Sequence, residues 1–263
     1  MHRTFIHATC AAGAVLVSTG ALALDLPDIK ARGTLRVIAQ EGEAPEMFRF
    51  SGEGEPGFEL EMIQSFARIH GVEVTPVPVE TTADRIPALL RGDGDVIIGI
   101  VNTESRRRRI AFTVEILPAR HLVVTRSPHR VVESLEQFRE ERVGVVRSTS
   151  WAEAAVEAGV PLAKMVLFPA REDVFAALAD GRITATVMTT TDFLLATRIH
   201  PQLQGGVAIG AAGRAGWGVR KEDTALLAAL DEYVANYRAG SSWNRLVVKY
   251  FGDQALRALG RGQ

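Results

Sequence analysis

Residues 95–113 read DVIIGIVNTESRRRRIAFT, from Asp95 to Thr113, and this stretch decides the fold. An apolar, β-branched run is typical of a buried strand, and the small and polar residues after Gly99 indicate that the strand ends and a helix begins. Such a corner leaves backbone N–H groups unpaired, and these groups bind anions together with a well-placed arginine. The stretch therefore predicts a receptor for a carboxylate or similar anion, without any sign of bond-breaking chemistry.

The composition of the whole chain is that of a folded protein with a balanced charge. The 263 residues suffice for one large domain or two lobes, and 47% of them are hydrophobic, which supplies a sizeable core and excludes global disorder. Lys and Arg number 30 against 31 Asp and Glu. A balance so close to neutrality gives no support for a nucleic-acid partner.

The N-terminus has the pattern of a secretory signal. Arg3 precedes an apolar run of small residues from Ala8 to Leu22, and Ala21-Leu22-Ala23 offers an A-x-A cleavage site. The run is too short and too rich in alanine for a membrane anchor. We therefore expect residues 1–23 to be removed and the mature chain to be periplasmic. Cys10, the sole cysteine of the chain, would leave with the signal; a lipid anchor on Cys10 is the alternative.

Beyond the signal, strands and helices alternate in the sequence pattern. Apolar and β-branched runs predict strands at 35–39, 72–75, 95–101, 121–124, 143–146, 166–168 and 184–188. Apolar residues at helical spacing predict helices at 58–70, 83–91, 135–141, 151–158, 172–179, 192–198, 224–238 and 243–251. This order predicts an α/β fold with mostly parallel sheets flanked by helices.

A second corner of the same kind follows the strand at 143–146. Ser148, Thr149 and Ser150 are good N-cap residues before the helix that starts near Trp151, and Glu153 stands where a capping box places a carboxylate. One interpretation is that these residues only cap the helix. The other is ligand binding, because ligands of open α/β sheets gather at the carboxyl ends of the strands, where both corners lie. Two such corners in successive units favour binding.

Four consecutive arginines, Arg106 to Arg109, follow the first corner. On a helix they point in different directions, so we expect most of them in solvent. The run does not predict a nucleic-acid site, because interleaved aromatic residues and a net positive charge are both missing. Arg106 is nearest to the end of the strand, and its guanidinium fork is suited to holding a carboxylate bidentately.

Motifs spread along the chain resemble one known family. In chain order they are Gly33-Thr34-Leu35-Arg36-Val37, Gly57-Phe58-Glu59-x-Glu61, Ile86-Pro87-Ala88-Leu89-Leu90-Arg91-Gly92-x-x-Asp95, Thr103-x-x-Arg106-x-x-x-Ile110-Ala111-Phe112-Thr113, Leu178-x-x-Gly181-Arg182-Ile183, Gly216-x-Gly218-Val219-Arg220-Lys221 and Trp243-x-x-Leu246-x-x-Lys249-Tyr250-Phe251-Gly252. From Gly33 to Gly252 the chain resembles the extracellular solute-binding proteins of family 3. These are the type II periplasmic receptors that deliver amino acids to transporters.

The resemblance implies a two-lobed fold and a mode of action. Residues 24–118 with 214–263 would form lobe 1, and residues 119–213 lobe 2, each a mostly parallel sheet flanked by helices, joined by a two-strand hinge. A small carboxylate-bearing solute, an amino acid or related organic acid, would bind between the lobes, and its greater affinity for the closed state would drive closure. The implied partner is the membrane component of an ABC transporter. We expect a monomer without nucleic acid, metal or cofactor.

The resemblance also implies roles for individual residues. Arg106 would bind the α-carboxylate of the solute. Gly99, Val101 and Thr103 would lie beside that carboxylate, and Ser148 and Thr149 would close on it from lobe 2.

Three positions depart from the family pattern. Val101 stands where amino-acid binders often have Ser or Thr, and the segment from Gln40 to Glu46 is acidic where the family has an aromatic wall. Thr189 stands where an aspartate for the α-ammonium is expected. Enclosing a cation without a partner is costly, so another carboxylate would have to replace that aspartate. The candidates are Asp192, Glu41, Glu43 and Glu46.

Two other functions stay open. The stretches Pro56-Gly57-Phe58-Glu59-Leu60-Glu61 and Pro118-Ala119-Arg120-His121-Leu122-Val123-Val124 are also similar to the receptor-like domain of membrane-bound lytic transglycosylases, which would imply a sensing or accessory role. A periplasmic dehydratase-like enzyme on the same fold is a further alternative. We expect no enzyme, because the histidines are scattered and the Gly-x-Ser-x-Gly, His-Glu-x-x-His and Gly-rich nucleotide motifs are all missing.

Overall fold

Helices and strands alternate along the chain, as the sequence pattern predicts. A computed structural model describes residues 25–210, 213–253 and 255–259. The signal peptide expected at residues 1–23, with Cys10, lies outside this part. Within it, the helices are α1 (Leu26–Arg32), α2 (Phe58–His70), α3 (Arg85–Arg91), α4 (Glu104–Arg107), α5 (Leu135–Glu140), α6 (Ser150–Glu157), α7 (Arg171–Ala179), α8 (Thr190–Ile199), α9 (Thr224–Ala239), α10 (Ser241–Phe251) and α11 (Ala255–Leu259).

The strands form three sheets. In chain order they are β1 (Thr34–Gln40), β2 (Glu73–Val79), β3 (Val96–Val101), β4 (Ala111–Phe112), β5 (Leu117–Pro118), β6 (His121–Arg126), β7 (Val143–Val146), β8 (Met165–Phe168), β9 (Thr186–Thr189), β10 (Leu203–Ile209) and β11 (Arg214–Val219). We call the part around the first sheet lobe 1 and the part around the other two sheets lobe 2.

The sheet of lobe 1 has six strands in the order β2-β1-β3-β11-β4, with β5 also paired to β11. β1 runs parallel to both β2 and β3, while β11 pairs with β3 antiparallel. Since β11 comes from the C-terminal part of the chain, the chain enters lobe 1 twice. The carboxyl end of the buried β3 opens at the corner to α4, which is the first corner predicted from the sequence.

The strands of lobe 2 run in mixed directions. β6 pairs antiparallel with both β10 and β9, whereas β7 and β8 form a parallel pair. The direction of β6 and β10 follows from topology, because β6 carries the chain away from lobe 1 and β10 carries it back beside β6. The mostly parallel arrangement expected from the sequence therefore holds for the β7–β8 pair, and the crossing strands depart from it.

Two chain segments connect the lobes side by side. The Ala119 N–H donates to the Gly213 carbonyl at 2.9 Å. A Cβ at Gly213 would lie 2.5 Å from the Ala119 carbonyl oxygen, so only glycine permits this approach. The segments have the arrangement of a two-strand hinge, and the lobe boundaries at 118/119 and 213/214 stay a prediction.

Each lobe has its own hydrophobic core. The core of lobe 1 includes Phe58, Trp217 and Trp243, and the ring of Trp243 lies 5.4 Å from that of Phe58, which holds α10 on α2. The core of lobe 2 includes Phe138 and Trp151. Leu195 of α8 packs into the core of lobe 1, so the lobes share an apolar contact while each keeps a close-packed interior of its own.

Candidate ligand-binding cleft

A cleft with a cavity volume of about 230 Å³ lies between the lobes. This volume is just below the roughly 300–1,000 Å³ of typical small-molecule sites. Residues from both lobes line the cleft, and many of them come from four strand-to-helix corners: β3 to α4, β7 to α6, β8 to α7, and β9 to α8. Six of the eight site residues expected from the sequence line it, namely Gly99, Val101, Arg106, Thr149, Thr189 and Asp192.

Arg106 is the buried member of the arginine run. It is 8% exposed, whereas Arg107, Arg108 and Arg109 are exposed. Its Nη1 donates to the Val101 carbonyl at 2.9 Å, which ties the side chain back to the end of β3. Burial lowers the pKa of Arg106 to about 10, so the group stays positively charged at neutral pH. A buried, charged guanidinium at the wall of a cleft is suited to binding an anion.

Gly99 shapes the end of β3 in front of Arg106. Its φ of +59° is in the left-handed region, which a glycine adopts without strain. The Gly99 carbonyl accepts a hydrogen bond from Arg85 Nη1 at 3.0 Å. Val101 lies two residues further and supplies the carbonyl that anchors Arg106. The backbone of this corner therefore positions two arginines at once.

The second corner is not closed by side-chain caps. Thr149 occupies the N-cap position of α6, but its Oγ1 donates to the Val146 carbonyl at 2.7 Å and no side-chain capping bond forms. Glu153 accepts from Ser105 Oγ at 3.2 Å instead of completing a capping box. The capping interpretation of this corner therefore fails. The backbone N–H groups of the first turn of α6 remain oriented for an acceptor, as in anion-binding helix ends.

Thr103 and Ser148 are not among the residues that line the cavity. Thr103 Oγ1 lies 2.9 Å from Ser105 Oγ at the rim of the first corner. Ser148 is exposed and has a φ of +58°. Their expected contact with the ligand stays a prediction.

Thr189 and Asp192 form the third corner. The Thr189 hydroxyl donates to Asp192 Oδ2 at 2.6 Å and accepts from the Asp192 N–H at 3.1 Å, which joins the N-cap of α8 to its first turn. Asp192 Oδ2 also accepts from Trp151 Nε1 at 3.1 Å. A carboxylate therefore stands three residues after the position where the family pattern has an aspartate, and it points into the same cleft.

Sequence reasoning missed three charged or aromatic groups in the cleft, Arg85, Arg171 and Trp151. Arg85 is 4% exposed and its Nη2 lies 2.6 Å from Glu43 Oε2. Arg171 Nη1 lies 3.0 Å from Asp192 Oδ1, and its guanidinium carbon lies 5.4 Å from the centroid of the Trp151 ring. Glu43, from the acidic segment after β1, thus binds Arg85. Trp151 of lobe 2 contributes an aromatic side chain to the lining of the cleft.

Glu59 is a buried carboxyl group at the floor of the cleft. It is 2% exposed and accepts a hydrogen bond from Trp217 Nε1. Burial raises the pKa of Glu59 to about 7, with the nearby charge of Glu43 adding to the rise, and the bonds from Trp217 and from the Gly99 N–H only partly oppose it. The sequence analysis gave Glu59 only as a residue of the motif at Gly57, and it predicted neither the burial of Glu59 nor its contact with the cleft.

Side chains from opposite lobes meet across the cleft. Arg171 Nη2 lies 3.4 Å from Glu43 Oε1. The Ser105–Glu153 hydrogen bond is a second link, and Arg198 Nη1 lies 3.9 Å from Glu46 Oε1. These polar links are few and reach solvent, so they are weak individually. At α8 the lobes are in closer contact, because Arg198 Nη1 donates to the Tyr250 carbonyl at 3.1 Å and Leu195 is buried in the core of lobe 1.

Two other properties of the described residues bear on function. No three His, Cys, Asp or Glu side chains of this part gather closely enough to hold a metal ion. None of its helices combines the length and apolar character needed to cross a membrane.

Comparison with known proteins places the chain in one family. The model of the bacterial extracellular solute-binding proteins, family 3, matches residues 35–253. Membrane-bound lytic murein transglycosylase F of Stutzerimonas stutzeri is 27% identical over 235 residues, which cover 87% of this chain and 48% of the relative. The chain thus spans about half the length of the curated relatives it matches.

Solved structures with the same fold can be superposed on most of this chain. The P235GK mutant of ArgBP from T. maritima has a TM-score of 0.75 and 27% identity, covering 87% of this chain and 99% of its own. An ancestral arginine-binding protein bound to arginine has a TM-score of 0.71 and 26% identity, covering 84% of this chain and 99% of its own. The fold is the type II periplasmic binding fold, as the sequence motifs predicted. Because the family model spans most of its length, the chain belongs to the bacterial extracellular solute-binding proteins, family 3.

Proposed function

We propose that the protein captures a small carboxylate-bearing solute, an amino acid or related organic acid, in the cleft and delivers it to the membrane component of an ABC transporter. Family membership establishes a binding protein with an extracytoplasmic location. The proposal adds the chemical class of the ligand, the transporter and the periplasm as the compartment.

The main support for the proposal is that Arg106 is buried in the cleft and has no acidic partner in the described part of the chain. Among the described residues it makes no ion pair, and the bond that it forms is to the backbone carbonyl of Val101. Burying a charge without a counter-charge costs roughly several kcal/mol. A ligand carboxylate would supply the missing partner of Arg106 through a bidentate contact. The free N–H groups at the start of α6 would bind the same carboxylate from lobe 2.

Ligand binding would favour closure because a bound solute touches both lobes. The direct links between the lobes, such as Ser105 to Glu153, are exposed and weak. A carboxylate held between Arg106 and the first turn of α6 would add contacts that exist only in the closed state. Closure is then driven by the difference in ligand affinity between the two states.

A sensing or accessory role is the second candidate function. It is favoured by the similarity to lytic murein transglycosylase F, of which the chain matches about half. In that case the closed state would be recognised by a partner other than a transporter. The ligand site would be the same, so the two functions differ only in which partner protein binds the closed state.

We further propose that the protein binds without turnover. Glu59 is the cleft group with a pKa nearest to neutrality, which is the property of a general acid or base. Its carboxyl group is already engaged by the indole of Trp217 and the N–H of Gly99. We therefore expect Glu59 to act as part of the cleft wall and not as an acid or base. Product analysis of the protein–ligand mixtures tests whether the bound ligand is converted.

The test is a thermal-shift screen of amino acids, dicarboxylates, keto acids and muropeptide fragments against the purified protein. A ligand at about 100 times its Kd adds about 2.7 kcal/mol of stability, which for a chain of this size raises Tm by about 5–10 °C. We expect Arg106→Ala to abolish the shift while the ligand-free variant stays folded.

Arg109→Ala is the matched control, because Arg109 belongs to the same run and is exposed. The control should keep the full shift. A cognate carboxylate that stabilises Arg106→Ala as much as the unmodified protein would reject the role of Arg106. Conversion of the ligand during the assay would instead support an enzyme.

A further inference from the structure

Arg171, the first residue of α7, has its guanidinium enclosed on three sides within the cleft. Nη1 lies 3.0 Å from Asp192 Oδ1, and Nη2 donates to Glu43 Oε1 at 3.4 Å. The guanidinium carbon lies 5.4 Å from the centroid of the Trp151 ring. Two carboxylates and an aromatic face are the groups that recognise a guanidinium or ammonium ligand. In this cleft they surround an arginine of the protein itself.

The local structure of α7 does not explain the position of Arg171. A cation at the first position of a helix is disfavoured by the helix dipole. Burial would lower the pKa of Arg171, but the Coulombic attraction of Asp192, Glu43 and Glu172 outweighs it and raises the pKa. The carboxylates of the cleft therefore hold this side chain in place.

Both carboxylates that bind Arg171 are fully engaged. Asp192 Oδ2 accepts from Trp151 Nε1 at 3.1 Å and from Thr189 Oγ1 at 2.6 Å. Glu43 Oε2 accepts from Arg85 Nη2 at 2.6 Å. Each oxygen of the two groups thus lies against a hydrogen-bond donor or a cation of the protein. An amino group of a ligand would have to displace Arg171 to reach either of them.

The other acidic residues of the cleft do not replace these two carboxylates. Glu59 is engaged by Trp217 and by the N–H of Gly99. Glu41, Glu80 and Glu172 are exposed to water. Among the described residues that line the cleft, Arg106 is therefore the buried cation left without an ion pair.

We propose that Arg171 fills the cation-binding part of the cleft and thereby sets its specificity. The ligand is then a carboxylate without an amino or guanidino group, such as a keto acid or a hydroxy acid. This inference rests on the proposed function in one respect, because it assigns the ligand carboxylate to Arg106. Its other part, that Arg171 occupies a cation site, is independent of Arg106 and can be tested alone.

The first experiment tests the cation site directly. Isothermal titration measures the binding of L-arginine and of ethylguanidinium to the unmodified protein and to Arg171→Ala. We expect Arg171→Ala to bind both probes at least tenfold more tightly than the unmodified protein, because Asp192 has lost its cationic partner and Glu43 Oε1 is free, while Glu43 Oε2 stays paired with Arg85. Adding Asp192→Asn to that variant should remove the gain.

The matched control is Arg182→Ala. Arg182 is also on lobe 2 and stacks on an aromatic ring, 5.9 Å from the centroid of Phe168, but it lies outside the cleft. This variant should behave like the unmodified protein. Equal binding of ethylguanidinium to Arg171→Ala and Arg182→Ala would overturn the inference.

The second experiment compares pairs that differ only in the amino group, pyruvate with L-alanine and 2-oxoglutarate with L-glutamate. We expect the unmodified protein to prefer the keto acid by at least tenfold, and Arg171→Ala to lose or reverse the preference. A purely structural role of Arg171 would change both members of a pair by the same factor, and that outcome would overturn the inference.

The two experiments also separate this inference from the proposed function. Suppose that Arg171→Ala binds the cationic probes more tightly, while the unmodified protein binds neither the keto acids nor the amino acids of the two pairs. The cation site is then supported and the proposed capture of a carboxylate is contradicted. If a keto acid binds through Arg106 but Arg171→Ala binds the cationic probes no more tightly than the unmodified protein, the proposed function is supported and the inference fails.

Discussion

The buried carboxyl group of Glu59 should make the stability of the ligand-free protein fall as the pH rises. The pKa of Glu59 is raised from 4.5 to about 7 by burial, so the folded state holds the proton more tightly than the unfolded state. Between these two values the folded state binds more protons, and its stability decreases with increasing pH. Below pH 4.5 both states are protonated and Glu59 makes no difference.

The magnitude follows from the two pKa values. At about 1.36 kcal/mol for each pH unit, a rise from 4.5 to about 7 corresponds to about 3 kcal/mol in total. About 2.5 kcal/mol of this falls between pH 5 and pH 8, since part of the unfolded chain is already ionised at pH 5. Glu59→Gln removes the effect, because the amide stays neutral and its oxygen can still accept from Trp217.

The assay is urea unfolding of both proteins at pH 5, 6, 7 and 8, compared as the difference in free energy of unfolding. The stability of Glu59→Gln relative to the unmodified protein should rise by about 2.5 kcal/mol across this range. Glu61→Gln is the control: burial would raise the pKa of Glu61, but its bonds with Lys249 and Tyr250 lower it. Glu61 therefore loses its contribution to the free energy of unfolding only below pH 4.5. The difference in free energy of unfolding between Glu61→Gln and the unmodified protein should stay nearly constant from pH 5 to pH 8. A constant difference for Glu59→Gln would refute the argument.

Two further predictions concern stability in lobe 1. Asp95 is fully buried and binds the Arg36 guanidinium at 2.8 Å and its backbone N–H at 2.8 Å, so Asp95→Ala should destabilise the protein by about 3 kcal/mol in urea unfolding, and a loss below 1 kcal/mol would contradict this. Gly57 has a φ of +101° and a Cβ there would lie 2.7 Å from the Met47 backbone, whereas Gly42 has a φ of +73° with open space around it. Gly57→Ala should therefore lower Tm by several degrees more than Gly42→Ala, and similar melting temperatures would disprove the steric explanation.

Local sequence patterns predicted eight of the helices, seven of the strands and one part of the site, but they missed α1 and the strands β10 and β11. The helix at 58–70 was predicted with its observed bounds, because its apolar spacing is strong and it ends at Gly71. Arg106 was singled out from its run because it is nearest to the end of β3, and the structure places it in the cleft. Its role as the carboxylate ligand stays a prediction that the Arg106→Ala experiment tests.

Other features were outside the reach of local patterns. The capping box predicted at Glu153 does not form, because α6 begins one residue earlier, with Thr149 as its N-cap, and Glu153 bonds to Ser105 in the other lobe. Likewise, the antiparallel direction of β6 and β10 depends on where the chain crosses between the lobes. In both cases a partner distant in sequence competes with the local one.

The sequence by itself thus determined most of the alternation of strands and helices and the corner that presents Arg106, because these depend on patterns within a few consecutive residues. It also determined the family, because the order of the motifs along the chain does not depend on the fold. Only the tertiary structure decided the charge balance of the cleft. Glu43 is 42 residues from Arg85 and 128 residues from Arg171 in the chain, yet it lies within 3.4 Å of both guanidinium groups. Ion pairing depends on distance in space and on burial, and neither of these can be obtained from spacing along the chain.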